Sequence, residues 1–344
     1  MLEQGLVEVY TGETSRINLS PIGLCLRAAG QNLRIFVMGF LTHPYIETED
    51  SALSFLAPNI VLERPILKDA SVEKEPGHYD SICINRSLER IQEVMHSNNF
   101  DIVMLEGINE LVGSGSIPEE TIRDLIRKKP NKLELVLTGN NATAGIIDQA
   151  DLVTEMVEHT CKEESINLDG KNKGGCIEIV TGNGKGKTTY SIGRSMFFAA
   201  NKIQSSILQF IKSPQPYGEV IAIKKFPNLE IKSMGEGFIF GPPKDSDKHV
   251  EAAKNAWAAA EEEVFSLKYR LIVLDEINIA TNLGLLHQDL IKKLLLSKPK
   301  DMHIILTGRN ANPEIETMAS SVIEMKEIKH PFNKGIKARK GIEY

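Results

Sequence analysis

Thr181-Gly182-Asn183-Gly184-Lys185-Gly186-Lys187-Thr188-Thr189 decides how this chain is read. A β-prone run, Cys176-Ile177-Glu178-Ile179-Val180, leads into it, and a helix is expected from about Thr188 to Ala200. Strand, glycine-rich turn and helix together form the setting of a phosphate-binding loop. Glycines let backbone N–H groups turn toward phosphate oxygens, and the helix start adds the positive end of its dipole. Lys187 would neutralise phosphate, and the Thr188 hydroxyl would reach Mg²⁺. The usual G-x-x-x-x-G-K-[ST] spacing needs glycine at 181, where Thr181 stands; counted from Gly182, the loop is one residue short. The expected nucleotide contacts are Asn183, Gly184, Lys185, Gly186, Lys187, Thr188 and Thr189.

Working outward, Leu271-Ile272-Val273-Leu274-Asp275-Glu276 is an apolar run ending in two carboxylates. Such runs are buried parallel strands, and the C-terminal ends of those strands line the ligand crevice of open α/β sheets. Thr188, Asp275 and Glu276 are therefore the candidate metal ligands. Ser206–Phe210 and His303–Leu306 read as further strands, Lys248–Phe265 and Leu286–Leu296 as helices. Alternating strands and helices predict an α/β fold with a mostly parallel sheet.

The chain also repeats itself. Val9-Tyr10-Thr11-Gly12 returns as Ile179-Val180-Thr181-Gly182, and Ile22-Gly23 as Ile192-Gly193, both 170 residues on. Leu137-Thr138-Gly139 returns as Leu306-Thr307-Gly308, and Glu155-Met156 as Glu324-Met325, both 169 residues on. A nearly constant offset over whole halves means one domain duplicated in tandem. The expected division is residues 1–160, a polar Gly/Asn/Lys-rich linker at 161–174, and 175–344. The first copy has lost its phosphate equipment. Lys187 corresponds to Ile17, Thr188 to Asn18, Gly186 to Arg16, Gly184 to Thr14 and Glu276 to Gly107, while Asp275 corresponds to Glu106.

Composition narrows the partners. With 42% apolar and 25% charged residues, the 344-residue chain can bury ordinary cores, about two domains' worth. A net charge of −6 argues against a general nucleic-acid or anionic-membrane binder. No apolar run is long enough for a membrane helix and no signal peptide is legible, so a cytoplasmic location is expected. Cys25, Cys83, Cys161 and Cys176 show no metal-ligand spacing and read as core residues in a reducing compartment. Trp257, in an Ala-rich helix, reads as core; His330 and the basic segment from Lys326 to Lys340 are open to a structural or a ligand-facing reading.

The second half closely resembles the P-loop type of ATP:corrinoid (cob(I)alamin) adenosyltransferase. The residues that carry the resemblance are the short loop, Gln209-Phe210-Ile211-Lys212, Met234-Gly235-Glu236-Gly237-Phe238, Val273–Asn278, Leu306-Thr307-Gly308-Arg309-Asn310, Lys329-His330-Pro331-Phe332 and Gly341-Ile342-Glu343-Tyr344. The first half resembles a diverged copy. The resemblance implies two RecA-like domains and transfer of the 5′-deoxyadenosyl group of ATP to a reduced corrinoid, with triphosphate leaving. It implies ATP contacts at Glu219, on the ribose, and at Arg309. It also implies Phe238 and Phe240 beside the corrinoid, Mg²⁺ as cofactor and an electron-donating reductase as partner. Relatives are usually homodimers, so the chain is expected to be an intramolecular pseudo-dimer, with further self-association left open. Family members often carry tryptophan at the position of Phe240 and arginine at the position of Phe197; here Arg27 occupies the latter's equivalent in the first half, and Arg194 lies one turn earlier. A corrinoid- or nucleotide-binding carrier and a generic P-loop ATPase are the rival readings.

Overall fold

The structure is a computed structural model describing residues 2–12, 17–40, 43–65, 81–161, 168–171, 174–237 and 246–344. The first half runs β1 (Val7–Gly12), α1 (Ser20–Gly30), β2 (Ile35–Gly39), α2 (Ile46–Ser54), β3 (Ile60–Glu63), α3 (Ser81–His96), β4 (Ile102–Glu106), α4 (Ile108–Gly113), α5 (Glu119–Arg127), β5 (Glu134–Thr138), α6 (Ala144–Gln149) and β6 (Leu152–Cys161). The second half repeats that order: β7 (Ile177–Thr181), α7 (Lys187–Ala200), β8 (Ser205–Gln209), α8 (Gly218–Ala222), β9 (Leu229–Ser233), α9 (Ser246–Phe265), β10 (Leu271–Asp275), α10 (Ile277–Asn282), α11 (Gln288–Ser297), β11 (His303–Thr307), α12 (Pro313–Glu316) and β12 (Ser321–Lys329). Each strand and helix expected from the sequence of the second half is present, with no end displaced by more than two residues.

Among the described residues all twelve strands join one sheet, in the order β3-β2-β4-β5-β1-β6-β12-β7-β11-β10-β8-β9. The order reads as its own mirror once the halves are equated. Every pairing is parallel except the central one, where β6 and β12 run antiparallel with Met156 opposite Met325. Those two methionines are the repeat's own equivalents, so a local two-fold axis passes between them. Two flanking contacts cross the junction, an ion pair of Glu155 with Lys326 at 3.4 Å and a hydrogen bond between His159 and Glu324 at 2.9 Å.

Side chains alternate across the sheet as the period of two requires. In β10, Leu271 and Val273 face a core shared by both halves, whereas Ile272 and Leu274 face a core of the second half alone. The shared core lies under α1 and α7 and joins Ile22 and Leu26 to Ile192, Met196 and Phe197. Trp257 is a buried member of the second half's own core, as its Ala-rich helix suggests. The helices α1 and α7 touch backbone to backbone. A Cβ on Gly23 would stand 1.9 Å from the Thr189 carbonyl oxygen, and one on Gly193 2.3 Å from that of Leu19. Glycine is required at both positions because nothing larger fits. None of the four cysteines is in a disulfide, and three of them are buried. Among the described residues no helix is long and apolar enough to cross a membrane.

One buried histidine makes stability pH-dependent. His303 in β11 is 2% exposed, with Cys176 Sγ at 3.1 Å from Nδ1 and the Phe198 ring edge-on. Burial, then Arg194, Arg270 and Lys298, push its pKa down to about 3. Between that value and an unfolded value of about 6.5, only the unfolded chain takes the proton, so stability falls as pH falls. From pH 7 to pH 5 this residue should cost about 2 kcal/mol. Urea unfolding of the wild type and of His303→Gln at both pH values tests this; the variant should lose correspondingly less stability, and equal losses would reject the assignment.

Candidate functional site

The phosphate loop joins β7 to α7 and is shaped by its glycines. Gly182 and Gly186 hold φ values of 94° and 109°, the left-handed region that favours glycine. Gly184 packs against the middle of β12: its N–H donates to the Met325 carbonyl at 2.7 Å, and a Cβ there would meet that oxygen at 2.7 Å. Lys187 folds back over the loop, with Nζ 2.6 Å from the Gly184 carbonyl. Burial, and secondarily Arg309, lower its pKa to about 8. Thr189 Oγ1 donates to the Gly186 carbonyl at 3.1 Å and so steadies the loop.

The acidic pair divides its work. Asp275 is wholly buried and accepts three hydrogen bonds, from Thr188 Oγ1 at 2.9 Å, Thr307 Oγ1 at 2.7 Å and Gln209 Nε2 at 3.0 Å. It orients Thr188. Glu276 lines the cavity, and its Oε2 is buried without a hydrogen-bond partner. Burial, then the neighbouring Asp275, push its pKa up to about 7. Its backbone sits at φ 63°, where the first half has Gly107 at φ 78°. A non-glycine residue in that region carries strain, and such strain is concentrated at functional sites. The donors around this point, a hydroxyl and carboxylates, are hard oxygen ligands that fit Mg²⁺.

The cavity over the loop measures about 410 Å³ and is walled by both halves. Asn183, Gly184, Lys185, Gly186, Lys187, Thr188, Thr189, Lys212, Glu276 and Arg309 come from the second half's core domain. Glu8, Tyr10, Leu24 and Arg27 come from the first half, and Ile342 and Glu343 from the C-terminal tail. Arg309 Nη2 reaches the Asn183 carbonyl at 3.4 Å. Glu343 pairs with Lys185 at 2.7 Å. Arg339 clasps Glu134, Glu8 and Glu343, fixing the tail to the first half. Lys329 Nζ likewise donates to the carbonyls of Ile147 and Asp148, so part of the basic C-terminal segment ties the halves together. His330 Nδ1 accepts the Phe332 N–H at 3.1 Å, a local turn cap.

Glu219 stands behind this wall. Its carboxylate is wholly buried and already engaged, by Arg27 Nε at 2.9 Å and Lys212 Nζ at 2.5 Å. Those two cations hold its pKa well below the usual carboxylate range against the opposing effect of burial. The carboxylate from which the resemblance implies a ribose contact is thus already paired with two of the chain's own cations. Phe197 is wholly buried in the shared core, and Arg194 lies 1% exposed with its guanidinium 5.6 Å from the Phe198 ring centre; neither lines the cavity. Phe238 and Phe240 lie outside the described residues, as do Thr14 and Arg16. The sequence reading gave Glu8, Tyr10, Leu24, Lys212, Ile279, Ile342 and Glu343 no role of their own in the site, although Lys212 and the tail lie inside motif blocks.

At the equivalent place in the first half, Glu106 stands where the second half has Asp275, and Glu49 where it has Glu219. The first half's helix α1 begins at Ser20, three residues later than the repeat would place it, with Asn18 Oδ1 accepting the Ser20 N–H. Ligand atoms of His43, Glu49 and Glu106 lie within 4.8 Å of one another. Tyr45 N–H donates to His43 Nδ1 at 3.1 Å, which leaves the ring proton on Nε2, 2.8 Å from Glu49 Oε2. The imidazole therefore donates to the carboxylate instead of offering a lone pair there. Arg64 pairs with Asp50 at 2.7 Å and Glu106 at 3.3 Å.

Comparison with known proteins agrees with this geometry. The family described as ATP:corrinoid adenosyltransferase BtuR/CobO/CobP matches twice, over residues 3–167 and 173–344. A Sinorhizobium protein named corrinoid adenosyltransferase is 34% identical over 200 residues, covering 57% of this chain and 93% of that protein. One of the same name from Pseudomonas aeruginosa is 33% identical over 175 residues, covering 51% of this chain and 86% of its own. An uncharacterised Nostoc protein is 27% identical over 365 residues, covering 99% of this chain and 95% of that protein, so it spans both halves. With two successive family matches over nearly its whole length and one intact loop, the chain belongs to the ATP:corrinoid adenosyltransferase family.

Proposed function

We propose that this chain transfers the 5′-deoxyadenosyl group of ATP to the Co(I) centre of a reduced corrinoid, at the second half's site alone. The observation that carries the reading is the short phosphate loop, intact in one half and walled by the other. Co(I) is itself a nucleophile and needs no general base. It attacks C5′ of ATP; the C5′–O bond breaks with its electron pair going to triphosphate, and cobalt is oxidised by two electrons. What the protein must supply is orientation and a home for the departing charge. Lys187, Lys185, Arg309 and the loop N–H groups face the triphosphate. Thr188 and Glu276 would hold Mg²⁺, with Asp275 orienting Thr188; the ion would neutralise phosphate charge. Phe238 and Phe240 are proposed to cover the corrinoid. A separate cytoplasmic reductase would keep cobalt reduced.

Residues 1–160, joined through 161–174 to 175–344, act in this reading as an intramolecular pseudo-subunit. The mutual pairing of His43, Glu49, Glu106 and Arg64, and the absence of counterparts to Lys187 and Thr188 in the first half, support it. The test is anaerobic mixing of the purified chain with MgATP and chemically reduced cob(I)alamin. Adenosylcobalamin should form, seen in the absorbance spectrum, with one triphosphate per turnover. ADP release without corrinoid would reject transfer in favour of a general ATPase. Binding of both substrates without a Co–C bond would leave a carrier.

A further inference from the structure

We infer that Arg27, a residue of the half without a phosphate loop, is a positioning residue for the other half's nucleotide site, which is incomplete without it. The inference rests on the nucleotide-site reading above and extends it to the first half. Arg27 lines the cavity and makes three contacts across the halves: Nε to Glu219 Oε2 at 2.9 Å, Nη2 to Glu219 Oε1 at 3.4 Å, and Nη1 to the Ile342 carbonyl at 3.1 Å. Through Glu219 it fixes Lys212, whose ammonium faces the same cavity. Through Ile342 it fixes the tail that brings Glu343 to Lys185 of the loop. One guanidinium therefore sets two of the cavity's cations, and its planar fork suits the bidentate hold on Glu219.

The backbone makes this geometry rigid. A Cβ on Gly30 would stand 1.9 Å from the Gly218 carbonyl oxygen, and one on Gly218 2.1 Å from that of Arg27. The last turn of α1 and the first of α8 are thus in direct backbone contact. The internal repeat supplies the independent observation. Arg27 corresponds to Phe197, and Glu219 to Glu49. Around the intact loop, the neighbouring half's helix presents arginine to a buried glutamate. Around the eroded loop, it presents a wholly buried phenylalanine, and Glu49 turns to His43 and Arg64 within its own half. The cross-half cation is present at the one site that has phosphate-binding equipment and replaced at the one that does not.

The test uses the full chain in three forms: Arg27→Ala, Arg27→Lys and the exchange Arg27→Phe with Phe197→Arg. MgATP affinity is measured by calorimetry without corrinoid, and kcat and KM by adenosylcobalamin formation. Arg27→Ala should weaken MgATP binding about tenfold and lower kcat as well, because Lys212 and Lys185 lose their anchorage. Arg27→Lys, which keeps a charge against Glu219, should recover part of both losses. The exchange should be as impaired as Arg27→Ala, since its arginine faces the eroded site. Should Arg27→Ala fail to fold, the same two readouts on Arg27→Lys carry the test, with a loss of more than about twofold and less than about tenfold expected. MgATP affinity and kcat/KM within twofold of wild type in folded Arg27→Ala or Arg27→Lys would overturn the inference, as would recovery in the exchange. A wild type that binds MgATP in an Arg27-dependent way but forms no adenosylcobalamin would reject the transferase reading and uphold this one.

Discussion

Lys187→Ala should lower kcat for adenosyl transfer by about 10²–10³, the usual consequence of removing one well-placed donor from a developing anion. The lysine folds over the loop, its Nζ 2.6 Å from the Gly184 carbonyl, and lines the same cavity as Arg309. Its lowered pKa of about 8 reflects burial and the repulsion of Arg309, and an arriving triphosphate reverses that balance. Binding should therefore favour the protonated form and take up protons when measured near pH 8. Calorimetry in buffers of different ionisation enthalpy would show that uptake, and the variant should lack it. Ile17→Ala, at the equivalent position of the first half, should leave kcat per folded molecule unchanged. A variant at Lys187 with wild-type kcat would remove the loop from the mechanism.

Gly23→Val should destabilise the chain by about 3 kcal/mol or more, the upper range for overpacking, because the clash is with a backbone carbonyl rather than a side-chain end. The added atoms can be accommodated only by moving α1 off α7. That motion carries Leu24 and Arg27 with it, and both line the cavity. The folded fraction should therefore lose transfer activity as well, since displacements of about 1 Å can cost about a hundredfold. Urea unfolding read by circular dichroism, paired with the transfer assay, separates the two effects. An unchanged unfolding midpoint would mean that the helix crossing tolerates separation.

The legibility of this chain follows from where its information is stored. Periodic apolar runs such as Leu271–Leu274 and the loop glycines are local signals, and they give the α/β class, the repeat and most of the second half's elements. The order of twelve strands is not local. Nothing within Leu152–Cys161 states that this strand will pair antiparallel with Ser321–Lys329; only the two-fold relation of Met156 and Met325 does. The same limit hides half of the site. Asn183 to Thr189, Glu276 and Arg309 can be found by reading along one half. Glu8, Tyr10, Leu24 and Arg27 enter the cavity from a domain whose own loop is degraded, and their position along the chain gives no hint of it. Glu219 is visible as an acidic residue, but its pairing with Arg27 depends on a contact 192 residues away.

The sheet's passage through the β6–β12 junction has a consequence for how the protein behaves on dilution. A cavity built between separate chains empties of its second wall once concentration falls below the dimer's dissociation constant. Here the second wall is covalently attached, so its effective concentration is set by the linker and not by the solution. Specific activity should stay constant from micromolar to picomolar protein, and the site remains whole even in a cell that makes only a few copies.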